Sequence, residues 1–415
     1  MSHVRELLQV RDFRHLWVAQ VLSDFGDNLT FMTLLILIQR LTGSTVAIAG
    51  LMVSMTLPML VFGTLAGVYV DRFDRKKAMI VSDFLRAIVV LGFLLAQSEK
   101  LVPVIYLIAF TQATIGTVFN PARGAFLPAV VGTDRLLAAN SVSQTSRIIF
   151  NLLGTGAAGV LATVGETLSP AFIVDSATFF VSFILITRIR TSGLPDKDGE
   201  ESKVWAEMRE GFRVMISSRS LRAVLIALSV TMLGLGAVNV LFVPFIIDDL
   251  MVSEAFLGAI EASQVVGLVI SGAVVAVLAT RLRPSNLVSL GLVAVGVFVG
   301  AISGAAAVWQ VMVLLLFVGL SVGPVQAGAN TLSQTLIEDS LRGRVGGALN
   351  TLISAANITS MGLAGVAAAA IGTRNVFLVA GAIVAMSGVL AYALFRDLRK
   401  EPFEPTSVEP VPEAL

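Results

Sequence analysis

Twelve stretches of this 415-residue chain are long and apolar enough to cross a lipid bilayer, which constrains its fold more than any other feature. A crossing needs roughly 20 mostly apolar residues to span about 30 Å of hydrocarbon. The stretches run approximately over 15–39, 45–70, 78–98, 101–122, 138–164, 168–188, 221–247, 254–280, 285–304, 308–333, 345–371 and 374–396. In lipid each must satisfy its own backbone hydrogen bonds, so each reads as a helix and the fold class is all-α integral membrane. The composition agrees: 14% of residues are charged, where soluble domains carry about 25%. No signal peptide is expected at the N-terminus, because the first long apolar run, from near Trp17, already has spanning length.

Several function classes drop out. A net charge of +1 makes no case for nucleic acid, and the absence of cysteine excludes disulfides, thiol catalysis and cysteine metal sites. The two histidines, His3 and His15, precede or open the first span, which argues against a histidine metal site in the membrane. No lysine follows a glycine, so there is no Walker loop for an ATP-driven pump. Neither a catalytic constellation nor an appended soluble domain is present, so an enzyme or receptor is not expected, and no cofactor is implied.

Topology follows from charge. The second apolar run ends abruptly in Asp71-Arg72-Phe73-Asp74-Arg75-Lys76-Lys77, and short loops rich in Lys and Arg stay inside. With the N-terminus inside, alternate connections hold 24 Lys and Arg, against Arg40, Lys100 and Arg374 on the other side. Both termini are therefore expected in the cytoplasm. Gly63 and Gly67 have the spacing that lets helix backbones approach closely.

A polar stretch between the sixth and seventh spans divides the chain into six spans plus six. Residues 1–188 form one expected bundle, 189–220 a linker, 221–400 a second bundle and 401–415 a disordered tail rich in Pro and Glu. The linker begins as a flexible segment, TSGLPDKDGEES. It continues with Trp205, Met208, Phe212 and Met215 at helical spacing, as in an amphipathic helix lying on the membrane surface. The halves show weak internal similarity: aligning Asp134 with Asp339 brings Gly159 near Gly365.

The buried ionisable residues are the candidates for chemistry. Asp24 and Asp27 stand halfway along the first span, where a charge costs about 2.5–3.5 kcal/mol on insertion scales. At i, i+3 they share a helix face, desolvated and mutually repelling, and are candidates for a proton-coupling site; the structural alternative is a hydrogen bond to a neighbouring helix or a cap at a break near Gly26. Arg147 in span 5 needs a partner, expected to be Asp24 or Asp27, unless it binds an anionic substrate group. Glu261 and Asp175 are the other deep acids, suited to a second proton site, a cationic drug or a gate contact. Asp83 and Arg86 read as a local pair on span 3.

The sequence resembles the major facilitator superfamily over nearly its whole length. Gly67-Val-Tyr-Val-Asp71-Arg72-Phe-Asp74-Arg75-Lys76 matches that superfamily's loop signature, with Asp74 in place of a usual Gly. DFRHLWVAQVLSDFGDNL, NPARGAFLPAVV and SLRGRVGG are similar to the branch of macrolide and enterobactin exporters. Gln112 stands where many proton-coupled exporters carry an Arg, and Gly154–Gly159 where they carry Gly-Pro. The resemblance implies two pseudo-symmetric six-helix bundles, a monomer in the bacterial cytoplasmic membrane, and export of amphipathic small molecules by alternating access and proton antiport. A lysophospholipid flippase or single-metabolite exporter without proton coupling is the alternative, since lysophospholipid transporters share a first span resembling FGDN. The resemblance also implies a gate in which Asp71, with Gly67, Arg72 and Arg75, packs near Arg342 and Arg344 at the start of span 11. An apolar substrate cavity would draw on Phe31, Met55, Gln112, Asn151, Asn239, Phe242, Gln264, Gln326 and Asn330.

Overall fold

The structure is a computed structural model that describes residues 2–165, 167–194, 204–337 and 341–395. Among these residues the regular elements are all helical. A short α1 (Ser2–Gln9) leads into α2 (Arg11–Thr42) and α3 (Thr45–Arg72), the first two crossings. The third is α4 (Arg75–Val89), continued by a 3-10 turn over Val90–Leu94. The fourth is α5 (Val102–Gly116) with α6 (Phe119–Val131); the fifth and sixth are α7 (Leu136–Val164) and α8 (Ser169–Thr187). After α9 (Val204–Ser217) in the connection come α10 (Arg219–Pro244), α11 (Leu257–Leu278), α12 (Pro284–Ile302), α13 (Val308–Leu336), α14 (Arg342–Ile371) and α15 (Thr373–Leu394). Among the described residues, eleven stretches are long and apolar enough by themselves to cross a membrane. The remaining crossing is the third, whose α-helix ends at Val89 and carries Asp83 and Arg86 inside it. With it the all-helical, twelve-crossing architecture is complete.

Local chemistry places the breaks. Gly43, at φ 57°, ends α2 in the left-handed conformation that suits glycine, and the Ser44 side chain caps α3. Asp74, the departure from the loop signature, is the N-cap of α4: its Oδ1 accepts from the N–H groups of Lys76 at 3.0 Å and Lys77 at 3.1 Å.

The chain forms two compact units. The first holds Met1–Val204 together with Val240–Ala259 and Met361–Ile371; the second holds Trp205–Asn239, Ile260–Ser360 and the chain from Gly372. They follow the two sequence halves except at those two segments. In the first unit, Phe13 and Leu16 of α2 pack with Met79 of α4, Phe126 of α6 and Ile186 of α8. Close helix approach rests on glycine. A Cβ at Gly154 would lie 2.5 Å from the Phe25 carbonyl oxygen, so α7 can meet α2 there only without a side chain. In the second unit, Gly381 of α15 faces Gly296 and Gly300 of α12 in the same way, with a Cβ only 2.6 Å from the Gly296 carbonyl oxygen.

Two linker expectations change. Its beginning is pinned: the Asp12 Oδ2 atom accepts from the N–H groups of Arg190 at 3.0 Å and Thr191 at 2.8 Å, and Gly193 accepts from the Arg75 N–H at 2.8 Å. In the second unit α9 packs on protein rather than only on the membrane surface. Its Met215 is buried with Val345 and Ala348 of α14, and Gly211 lies against the Arg344 carbonyl. The side chains of Trp205 and Met208, and the tail 401–415, lie outside the described residues.

Candidate functional site

The first unit contains a cavity of about 240 Å³ whose polar wall includes Ser23, Asp24 and Asp27 of α2, Arg86 of α4, Thr117, and Asn120 of α6. Met55 and Met59 of α3 and Phe119 of α6 supply apolar surface. Helical spacing brings both aspartates to this cavity. Asp27 forms an ion pair with Arg86, and the two environments differ: the Arg86 side chain is 9% exposed and that of Asp27 40%. The acid is thus the more open member of the pair, while the base reaches the cavity wall from a largely buried position. The Arg86 guanidinium carbon lies 4.0 Å from the centre of the Phe179 ring, a cation–π contact.

Behind the pair are two further acids. Asp83 and Asp175 are fully buried, and both are within electrostatic reach of Arg86. Ser182 of α8 donates a hydrogen bond to Asp83. Thr178 donates to the Asp175 carbonyl at 2.7 Å, and its hydroxyl is 3.4 Å from Asp175 Oδ1. The Asp175 carboxylate lies directly under Gly26, where a Cβ would overlap it. Gly26 is thus a point of close packing between α2 and α8 inside a continuous helix. The Arg86 guanidinium thus faces three carboxyls, of which Asp83 and Asp175 are removed from water and Asp27 is open to the cavity.

A second polar chain runs from Asp24 toward the end of the unit that carries the basic loop. The Gln20 amide donates to Asp24 Oδ2 at 3.2 Å, and Arg123 of α6 donates to the Gln20 amide oxygen. Arg147 does not pair directly with Asp24 or Asp27 as expected; it donates to Gln144, one turn back on α7, at 2.9 Å. The cation that meets Asp27 is Arg86, which is therefore not simply the local partner of Asp83 on one helix.

At the far end of the first unit, segment 240–259 is fastened to α2 and α7. Arg40 pairs with Glu254 at 3.0 Å and donates to the Ala162 carbonyl at 2.7 Å, and Gln39 donates to Asp248. A Cβ on Gly258 would sit 2.5 Å from the Gly156 Cα, and Gly159 abuts the Glu254 carbonyl. The small-residue run Gly154–Gly159 thus serves two contacts, with α2 through Gly154 and with segment 254–258 through Gly156 and Gly159. Segment 361–371 is held in turn by the Thr45 hydroxyl, which donates to the Gly365 carbonyl at 3.0 Å.

The remaining candidates are dispersed. Met55 lines the cavity, Gln112 is 7% exposed with an unbonded amide, and Phe31 and Asn151 are half-buried. Phe242 falls in the first unit; Asn239, Glu261, Gln264, Gln326 and Asn330 fall in the second. In the loop, Arg75 donates to the Ala125 carbonyl at 3.0 Å, while Arg72 is exposed. The side chains of Asp71 and Arg342 lie outside the described residues. Arg344 pairs with Glu210 of α9 at 2.8 Å, so the linker helix holds it. Sequence reading passed over Gln20, Arg123, Ser182 and Glu254. Arg86 was the available signal: an arginine this deep in a span requires more than one neighbour to neutralise it.

Comparisons with known proteins agree with this architecture. The family profile described as transmembrane secretion effector, of the major facilitator superfamily, matches residues 7–413. Macrolide efflux protein A of Streptococcus pyogenes is 26% identical over 396 residues, covering 94% of this chain and 96% of that protein. The multidrug efflux pump Tap of Mycolicibacterium fortuitum is 28% identical over 411 residues, covering 92% and 97%. Among solved structures, an inward-facing bacterial homologue of the iron transporter ferroportin aligns with a TM-score of 0.75 at 15% identity, covering 94% of this chain and 99% of that one. The nucleoside transporter NupG aligns at 0.74 and 12% identity, covering 93% and 99%. These similarities at low identity support the fold. The chain is a multi-pass membrane transporter, not an enzyme, and belongs to the transmembrane secretion effector family of major facilitator efflux proteins.

Proposed function

We propose that this transporter exports amphipathic, drug-like molecules from the bacterial cytoplasm by alternating access, in exchange for protons, with both termini inside. The observation that carries this reading is the Asp27–Arg86 pair at the wall of the cavity. Asp27 is the member of the buried charge group that solvent in the cavity reaches. A proton arriving there removes its negative charge and frees Arg86 to turn toward Asp83 or Asp175. A change in proton occupancy thereby becomes a change in how α2, α4 and α8 are held. The macrolide and multidrug efflux relatives support the substrate class, and the methionines of the cavity suit molecules of varied shape. The fastened far end supports alternating access, because those contacts must part for the cavity to open on that side.

The test is an accumulation assay in cells stripped of other pumps. Expression lowers retention of a macrolide or a lipophilic dye, and a protonophore abolishes the difference. Retention unchanged by expression, or efflux indifferent to the protonophore, contradicts the proposal. Lysophospholipid movement without proton dependence would favour a flippase instead.

A further inference from the structure

A second, larger cavity lies outside the site described above. Its volume is about 540 Å³, within the roughly 300–1,000 Å³ of small-ligand pockets, and it sits at the basic end of the first unit between α3, α4 and α5. Its walls change character along their length. Away from the loop they are apolar, formed by Val81 and Leu85 of α4 with Ile115 and Val118. At the loop they carry Arg72 and Lys77 with the single acid Asp74, and the rings of Tyr69 and Phe73 stacked at 4.3 Å between centroids.

Beside the cavity, α4 presents exposed apolar surface of the kind a membrane-crossing helix turns to lipid. Val81 is 54% exposed, Leu85 40% and Ile88 54%, and with Phe84 they form one stripe on a membrane-crossing helix. The four loop cations divide between two tasks. Arg75 and Lys76 are spent inside the protein, donating to the carbonyls of Ala125 at 3.0 Å and Ile189 at 2.6 Å. Arg72 and Lys77 are at the groove. Lys77 is 80% exposed and only 3.9 Å from Asp74, whose Oδ1 is already engaged in capping α4. An apolar trough with two cations at its interfacial end complements an anionic headgroup joined to an acyl chain.

We propose that this groove binds an anionic membrane phospholipid, with the headgroup phosphate between Arg72 and Lys77 and an acyl chain along Val81, Leu85 and Ile115. The stacked Tyr69 and Phe73 rings sit at the level of the glycerol, where aromatic residues favour the interface. The basic loop then has a binding role besides setting topology.

Native mass spectrometry of the detergent-purified protein, titrated with phosphatidylglycerol or phosphatidylcholine of identical chains, tests this. Wild type is expected to hold phosphatidylglycerol about thirtyfold more tightly, as two basic groups near a surface provide. Arg72→Gln/Lys77→Gln removes that preference. Val81→Trp, which fills the trough without changing charge, weakens both lipids. Arg135→Gln/Arg188→Gln, two exposed cations outside the groove, leaves the preference intact. The proposal is overturned by equal binding of the two lipids, by an equal loss in the Arg135/Arg188 control, or by Val81→Trp binding as wild type does. Displacement of the lipid by millimolar inorganic phosphate alone would likewise overturn it, since the chain would then contribute nothing.

Discussion

At the scale of single residues, Arg86 organises the first unit. Among the described residues it is the cation placed between Asp27, Asp83 and Asp175, and its guanidinium also lies over the Phe179 face. Removing one partner of a buried pair costs about 3–5 kcal/mol, because the other charge stays behind. Arg86→Ala is expected to lower the thermal unfolding midpoint of the purified protein clearly, whereas Arg147→Ala, which loses one exposed contact with Gln144, leaves it nearly unchanged. Equal shifts for the two would contradict the assignment. Arg86→Lys keeps a charge but loses the planar fork and its stacking, and should reduce transport at least tenfold. The acids of this site were legible in the sequence, because any carboxylate in a span demands a reason. Its pairing was not. Span depth alone does not say which of two arginines, one on span 3 and one on span 5, reaches Asp27; that depends on how α4 lies against α2.

At the scale of elements, glycine sets which helices touch. Gly154→Val would drive a side chain into the Phe25 carbonyl and separate α7 from α2, an overpacking cost of about 1–3 kcal/mol, while Gly124→Val meets nothing within 4 Å. Folded yield and melting temperature should fall for the first variant and hold for the second. The linker helix makes a related case. Gly211→Val would push α9 off the Arg344 carbonyl, and limited proteolysis should then cut near 195–217 faster than in wild type. Unchanged cleavage would show that α9 is not held there. Amphipathic spacing revealed that α9 is a helix with an apolar face but not what covers that face. Bilayer and protein satisfy the same pattern, and only Met215 packed with Val345 and Ala348 distinguishes them. The cap at Asp74 was equally hidden, since the loop signature marks that position only as a departure.

At the scale of the whole molecule, the twelve crossings were readable because hydrocarbon tolerates so few alternatives. The weakest of them, the third, is weak because it carries the charged residues that the site uses. The membership of segments 240–259 and 361–371 in the first unit was not readable, because it depends on contacts such as Arg40–Glu254 and Thr45–Gly365. If the far end opens during transport, tethering it should stop the cycle. The chain contains no cysteine, so Arg40→Cys/Glu254→Cys gives an unambiguous pair. A cleavable bismaleimide is expected to halt transport, and cleaving its spacer to restore it; full transport while cross-linked would exclude opening at this end. The central claim, that a proton on Asp27 drives export, is tested most directly in proteoliposomes of wild type and Asp27→Asn. An imposed pH gradient should drive accumulation of a macrolide or lipophilic dye by wild type only, while both proteins exchange labelled for unlabelled substrate when no gradient is present. Gradient-driven accumulation by Asp27→Asn equal to that of wild type would contradict the account.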